Sequence, residues 1–91
     1  MNAPVTPEQV AEWMITELER VNFLYQETIA YQIASQFGNE LTYYNENGNL
    51  AIDAAVLKAF RDLTGDAVVW SRGERMWRKR AAYDRPGRQQ D

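Results

Sequence analysis

The sequence predicts an α+β domain of three helices with a small antiparallel C-terminal hairpin, and three observations predict it. Apolar residues recur at helical spacing in three stretches, each with its own start or stop signal. A β-branched and aromatic run, Ala67-Val68-Val69-Trp70-Ser71, follows the third stretch and meets a second short run across a glycine-containing turn. The 91 residues leave room for a single core.

Thr6-Pro7-Glu8-Gln9 opens the first helix as a capping box. Thr6 caps, Pro7 takes the first helical position, and Gln9 reaches back to the cap amide. Val10, Met14, Leu18 and Val21 then recur on one face, widened by Ala11, Trp13 and Ile15, so the helix spans residues 7–21 and ends near Asn22. Glu8, Glu12, Glu19 and Arg20 take the opposite face. Glu17 falls inside the apolar stripe, and two readings compete. It reaches water from the stripe's edge, or it forms a partly buried ion pair with an arginine of the basic C-terminal segment; carboxylates are seldom fully buried, which favours the first. The charge asymmetry described below nonetheless places the Glu17 region beside that segment.

Phe23-Leu24-Tyr25 is short, aromatic and extended. A second helix over 27–37 carries Ile29, Ile33 and Phe37 in a ladder backed by Ala30 and Ala34, and Gly38 stops it. Leu41 to Ile52 forms a hairpin or tight loop around Asn45-Glu46-Asn47-Gly48, since both members of an Asn-Gly pair tolerate positive φ. Asp53 caps a third helix over 54–63, with Val56, Leu57, Phe60 and Leu63 inward, and Thr64-Gly65 ends it. The strand at 67–71 turns at Arg72-Gly73-Glu74 and returns over 75–80, which sets Trp70 across from Trp77. Residues 75–82 also admit a helical reading. Residues 1–82 thus form one domain, and 83–91, with Pro86-Gly87, an extended or loose tail.

This order of helices and strands resembles that of a winged helix, in which the third helix enters the major groove and the last hairpin is the wing. The Leu41–Ile52 connection departs from that pattern, because helix-turn-helix units use a turn of about three or four residues.

Composition narrows the chemistry. There is no cysteine and no histidine, so disulfides, thiolate metal sites, zinc, haem and Ser-His-Asp chemistry lose their usual groups. The remaining carboxylates, lysines and tyrosines form no spacing that resembles a catalytic site or a D-x-D-x-D-G cation loop. The expectation is a protein that is not an enzyme and has no cofactor, no metal and no evident small-molecule ligand. The segment Met1 to Thr6 shows no targeting pattern, and the apolar run Ala67 to Trp70 is too short to span a bilayer, so no membrane contact is expected and the location is read as cytoplasmic.

The net charge of −3 hides an asymmetry. Residues 1–65 hold three basic against nine acidic residues, a net of −6, and residues 66–91 hold seven against four, a net of +3. The candidate interaction surface follows from that. Arg72, Arg75, Arg78, Lys79 and Arg80 surround Trp70 and Trp77, a mixture that suits phosphate contact with base stacking. It equally suits arginines shielding a small core, or pairing with the acidic first helix, or forming a protein interface. The outward face of the third helix offers Ala54, Ala55, Lys58, Arg61 and Asp62, of which only Lys58 and Arg61 can address guanine or phosphate; a solvated face explains them more simply. Tyr43 and Tyr44 can flank a ligand, although strand alternation turns one inward and the other outward.

Val68-Val69-Trp70-Ser71-Arg72, Trp77-Arg78-Lys79-Arg80, Asp84-Arg85-Pro86-Gly87-Arg88-Gln89-Gln90 and the central Asn45-Glu46-Asn47-Gly48-Asn49-Leu50-Ala51-Ile52 resemble a small uncharacterised bacterial family of the type found in genomes and mobile integron gene cassettes. The resemblance implies a free-standing domain and brings no catalytic residue. The functional expectation is a non-catalytic macromolecular interaction module that engages a protein partner or a second copy of itself. The alternative is a DNA-binding winged-helix regulator using the third helix and the basic hairpin.

Inside and outside are directly testable. Trp70→Ala is expected to cost more stability than Lys58→Ala, ~3–5 kcal/mol for loss of a core aromatic against about ±0.5 kcal/mol at a surface. Denaturant midpoints of the two variants check this; equal shifts refute the assignment.

Overall fold

The computed structural model describes residues 4–90. Residues 1–3 of the amino-terminal segment and Asp91 of the expected tail lie outside the described residues. In chain order the elements are α1 (Pro7–Val21), β1 (Phe23–Tyr25), α2 (Gln26–Phe37), β2 (Thr42–Tyr44), β3 (Leu50–Ile52), α3 (Ala54–Thr64), β4 (Val68–Ser71), β5 (Met76–Lys79) and β6 (Gln89–Gln90), with 3₁₀ turns at Asn39–Leu41 and Gly65–Ala67. The fold is α+β: three helices, a mixed four-stranded sheet in the order β1-β5-β4-β6, and a separate β2–β3 hairpin.

Local chemistry sets the helix ends. The Gln9 amide donates to Thr6 Oγ1 at 3.2 Å while the Thr6 amide donates to Gln9 Oε1 at 2.9 Å, closing the capping box. α1 stops where Asn22 takes a left-handed conformation at φ 75° and its amide donates to the Leu18 carbonyl. Asp53 Oδ1 accepts from the Ala55 amide at 2.8 Å and starts α3. In the β2–β3 loop, Asn45 Oδ1 accepts from the amides of Asn47 and Asn49, and Gly48 sits at φ 78°. This loop is wider than a two-residue turn because the Asn45 side chain organises it from within.

The buried stripe of α1 (Val10, Ala11, Met14, Leu18) packs chiefly on α3, whose Val56, Ala59 and Phe60 face it. Ile29, Ala30 and Ile33 of α2 complete the helical part of the core. Leu24, Trp77 and Val68 close it from the sheet. The register pairs Leu24 with Trp77 and Trp77 with Trp70, so these three share the sheet's inner face. Trp77 is 7 % exposed and meets the Phe60 ring edge-on at 5.8 Å and the Trp70 ring at 4.7 Å.

β4 and β5 are strands, which settles residues 76–79 as strand rather than helix. The turn between them is longer than expected. It includes Arg75, which sits at φ 55° and accepts from the Gln26 amide at its carbonyl, so the return strand begins at Met76. Leu63, expected inward, is 51 % exposed. It lies in the last turn of α3, at the mouth of an open groove of about 660 Å³ beside Ile15, Leu18 and Val68. Tyr43 and Tyr44 are both exposed, because a two-stranded ribbon leaves its outer end uncovered on both faces. No helix among the described residues is long and apolar enough to cross a membrane.

The segment after β5 returns to the sheet. Gln89–Gln90 pairs in parallel with Trp70–Ser71, so the chain between β5 and β6 must cross β4. It crosses on the outer face, the face carrying Arg78 and Val69, because Asp84 of the crossing segment pairs with Arg78. This cover accounts for Val69 and Ser71 being buried.

Phe60 is central to this arrangement. Phe60→Ala is expected to destabilise by ~3–5 kcal/mol and to lower the near-ultraviolet circular dichroism of the Trp pair. Chemical denaturation measures the first and the spectrum the second.

Candidate interaction surface

The residues singled out from the sequence do not form one surface. Trp77 is core. Trp70 is partly buried beside it. The basic residues of the β5 segment are engaged inside the molecule. Arg78 donates twice to Asp84, Nη1 to Oδ2 at 2.8 Å and Nη2 to Oδ1 at 2.7 Å, and lies 5.7 Å from the Tyr83 ring centre. The Asp84 side chain is only 2 % exposed and also accepts from the Ala81 amide at 2.7 Å. The Arg78 hydrogen bonds, then the Ala81 amide, hold its carboxyl at about 2, below the usual 3.8. Arg80 donates to the carbonyls of Asp66, Arg85 and Gly87, tying the α3–β4 connection to the crossing segment. Gln90 fixes the same segment by exchanging hydrogen bonds with Arg85 and donating to Gly87.

Lys79 Nζ reaches Glu19 of α1 at 2.9 Å. The acidic first helix therefore does meet the basic segment, through Glu19. Glu17 instead pairs with Arg20 one turn along at 2.8 Å, and that hydrogen bond lowers its carboxyl pKa. The reason is geometric: Lys79 shares the inner face with Trp77 and projects toward α1 at Glu19, while Arg20 is within i+3 reach of Glu17.

On α3, Ala54, Ala55, Lys58, Arg61 and Asp62 all face solvent. Lys58 is held by Asp62 at 2.8 Å, so Arg61 is the cation of this face left without a hydrogen bond or ion pair among the described residues. Arg72 and Arg75 in the β4–β5 turn are likewise exposed, with no side-chain bond among the described residues. Tyr43 and Tyr44 belong to the other sheet.

The structure adds residues the sequence did not flag. A groove of about 410 Å³ runs between α3 and the β4–β6 side of the sheet, with Leu57, Phe60, Trp70 and Trp77 among its lining residues. Lys58 and Arg61 border it from α3, Arg88 from the end of the crossing segment and Gln89 from β6. Arg88 donates to the Gly65 carbonyl and weakly to Thr64 Oγ1. Burial lowers its pKa, and repulsion from Arg61 adds to that against a smaller pull from Asp66. In the sequence Arg88 and Gln89 stood out only as part of the stretch that carries the family resemblance, because a two-residue parallel strand has no periodicity to read. On the sheet's outer face Phe23 and Tyr25 are exposed with their rings 5.5 Å apart, and Tyr83 is 81 % exposed. The alternation of Phe23 and Tyr25 about buried Leu24 was the available signal for that pair.

Among the described residues no group of three or more carboxylates is placed to hold a metal ion, and no buried side-chain polar atom lacks a partner. Residues 6–79 match the family of unknown function DUF6953, and the chain belongs to that family. No curated protein and no solved structure matches it.

Asp84 gives a pH test. A carboxyl whose pKa is depressed in the folded state adds stability that is full above its unfolded pKa and is lost as pH falls through the folded value. Wild type is therefore expected to melt above Asp84→Asn at pH 7, with the gap narrowing between about pH 4 and the folded value of about 2. Melting temperatures of both proteins across that range measure it; a gap independent of pH refutes the role given to the ion pair.

Proposed function

We propose that this DUF6953 member is a non-catalytic interaction module whose partner is a protein, either another chain or a second copy. The observation that carries the reading is a contrast. Large aromatic side chains, Phe23, Tyr25, Tyr31, Tyr43, Tyr44 and Tyr83, are left on the surface, while three of the five wing-region cations are engaged by intramolecular partners. Aromatic residues enriched on a surface suit protein recognition. Each strongly held carboxyl, Asp84 above all, is accounted for by an ion pair, so none is tuned toward general acid or base work near neutral pH. A free-standing domain in a bacterial cytoplasm, including one carried on an integron cassette, agrees with the sequence resemblance and forms part of the proposal.

The second reading is a DNA-binding winged helix. The order of helices and strands favours it, with the β2–β3 hairpin inserted ahead of α3. Arg61, Arg72 and Arg75 are the exposed cations it would use. Three such contacts against a net charge of −3 leave little electrostatic attraction for duplex DNA. Fold order alone does not fix function.

One pair of measurements separates the readings. Selection against random duplex DNA is expected to yield no motif and no binding tighter than about 1 µM at physiological salt, the range of non-specific contact. Sedimentation of the free protein is expected to show self-association weakened by the double change Phe23→Ser with Tyr25→Ser, or a monomer that binds peptide ligands. An enriched DNA motif lost on Arg61→Ala overturns the proposal, and so does a strict monomer that binds neither DNA nor protein.

A further inference from the structure

We propose that the groove between α3 and the β4–β6 side of the sheet takes an acidic segment of a partner protein, one that places a bulky apolar side chain on Trp70 and carboxylates against Arg61 and Arg88. The inference rests on the interaction-module reading and gives that module a ligand chemistry.

Two features of the groove converge on that occupant. Its floor is apolar and aromatic, from Leu57, Phe60 and the partly buried Trp70. At about 410 Å³ it suits one or two side chains rather than an extended fold element. Its rim is cationic. Lys58 is neutralised by Asp62, but Arg61 makes no ion pair among the described residues, and Arg88 is held by a carbonyl and a hydroxyl rather than by a carboxylate hydrogen bond. Burial first, and then repulsion from Arg61 against a smaller pull from Asp66, disfavours the charge on Arg88. An anion placed between the two guanidiniums relieves that repulsion and can accept from both. Gln26 and Ala54, the first residues of α2 and α3, also border the groove and bring the positive ends of two helix dipoles to the same side. The ligand so described is negative at its flanks and apolar at its centre.

The chain divides this site unevenly. The family match ends at residue 79, whereas Arg88 at the end of the crossing segment and Gln89 in β6 lie beyond it. Half of the cationic clamp therefore lies outside the part of the chain that matches the family.

The test is selection of a randomised dodecamer peptide library, displayed on phage, against the full chain and against Arg61→Glu and Arg61→Ala. Arg61 makes no hydrogen bond or ion pair among the described residues, so both variants should stay folded, which far-ultraviolet circular dichroism checks. The expected result is enrichment of peptides with two or more Asp or Glu near an aromatic or aliphatic residue. Their affinity should fall roughly tenfold or more with Arg61→Glu, less with Arg61→Ala, and with rising salt. Binding should also quench or shift Trp fluorescence. Enriched peptides with no acidic bias, peptides indifferent to Arg61, or no enrichment overturn the groove assignment and leave the interaction-module reading to the sedimentation test. Self-association lost with Arg61→Glu makes the occupant a second copy and overturns the partner assignment. Displacement of the peptides by random duplex DNA at equal charge overturns both readings.

Discussion

Trp77 joins the helical layer to the sheet, and most other features of the fold follow from keeping it buried. Its ring lies between Phe60 of α3 and Trp70 of the neighbouring strand, and its backbone pairs on the other side with Leu24. One residue therefore links β1, β4 and α3, elements that come from three separate parts of the chain. Aromatic edge contacts of this kind add to the gain from burial alone, about 0.5–1.5 kcal/mol per pair. In a chain with no disulfide and no metal ligand cluster among its described residues, such contacts must supply what covalent staples give other small domains.

The same burial decides what the basic segment can do. Period-two alternation sends Trp77 and Lys79 inward and Arg78 outward. Lys79 then meets Glu19, and Arg78 meets Asp84 as the chain crosses over β4. The positive charge of this stretch is thus largely distributed among partners of the molecule's own making. It pins the crossing segment and braces α1 against the sheet. What stays open, Arg61 by the groove and Arg72 with Arg75 at the turn, lies on other elements.

Most of the fold was legible because its signals are local. The Thr6–Gln9 box, Asn22, Gly38, Asp53 and the β-branched run at 67–71 each act within a few residues, and the element boundaries follow them closely. The cross-strand pairing of Trp70 with Trp77 was readable from the turn position. What escaped depends on contacts far apart in the chain. Leu63 has the right helical phase, but it lies in α3's last turn at the open mouth of a groove. Glu17 and Glu19 differ by two positions, and only the placement of β5 decides which one meets a cation of the basic segment. Arg88 and Gln89 read as polar residues near a Pro-Gly pair, and their position follows from the crossing over β4. The candidate groove is for that reason only half readable: its α3 side, Lys58 and Arg61, was evident, and its opposite wall was not.

The pairing of β1 with β5 has a bearing on how the molecule comes to be folded at all. Phe23 lies opposite Arg78, so the loop this contact closes holds α2, the β2–β3 hairpin, α3 and β4. Loop closure of that length is costly before any reward, and non-local strand pairing slows folding. The helices can form and collide early, since α1, α2 and α3 precede the hairpin. Until β5 has been made, however, Phe23, Leu24 and Tyr25 form an apolar strand with nothing to pair with. During synthesis this three-residue segment is the exposed edge, and the β4–β5 hairpin, whose own contacts are local, is the unit that arrives to cover it.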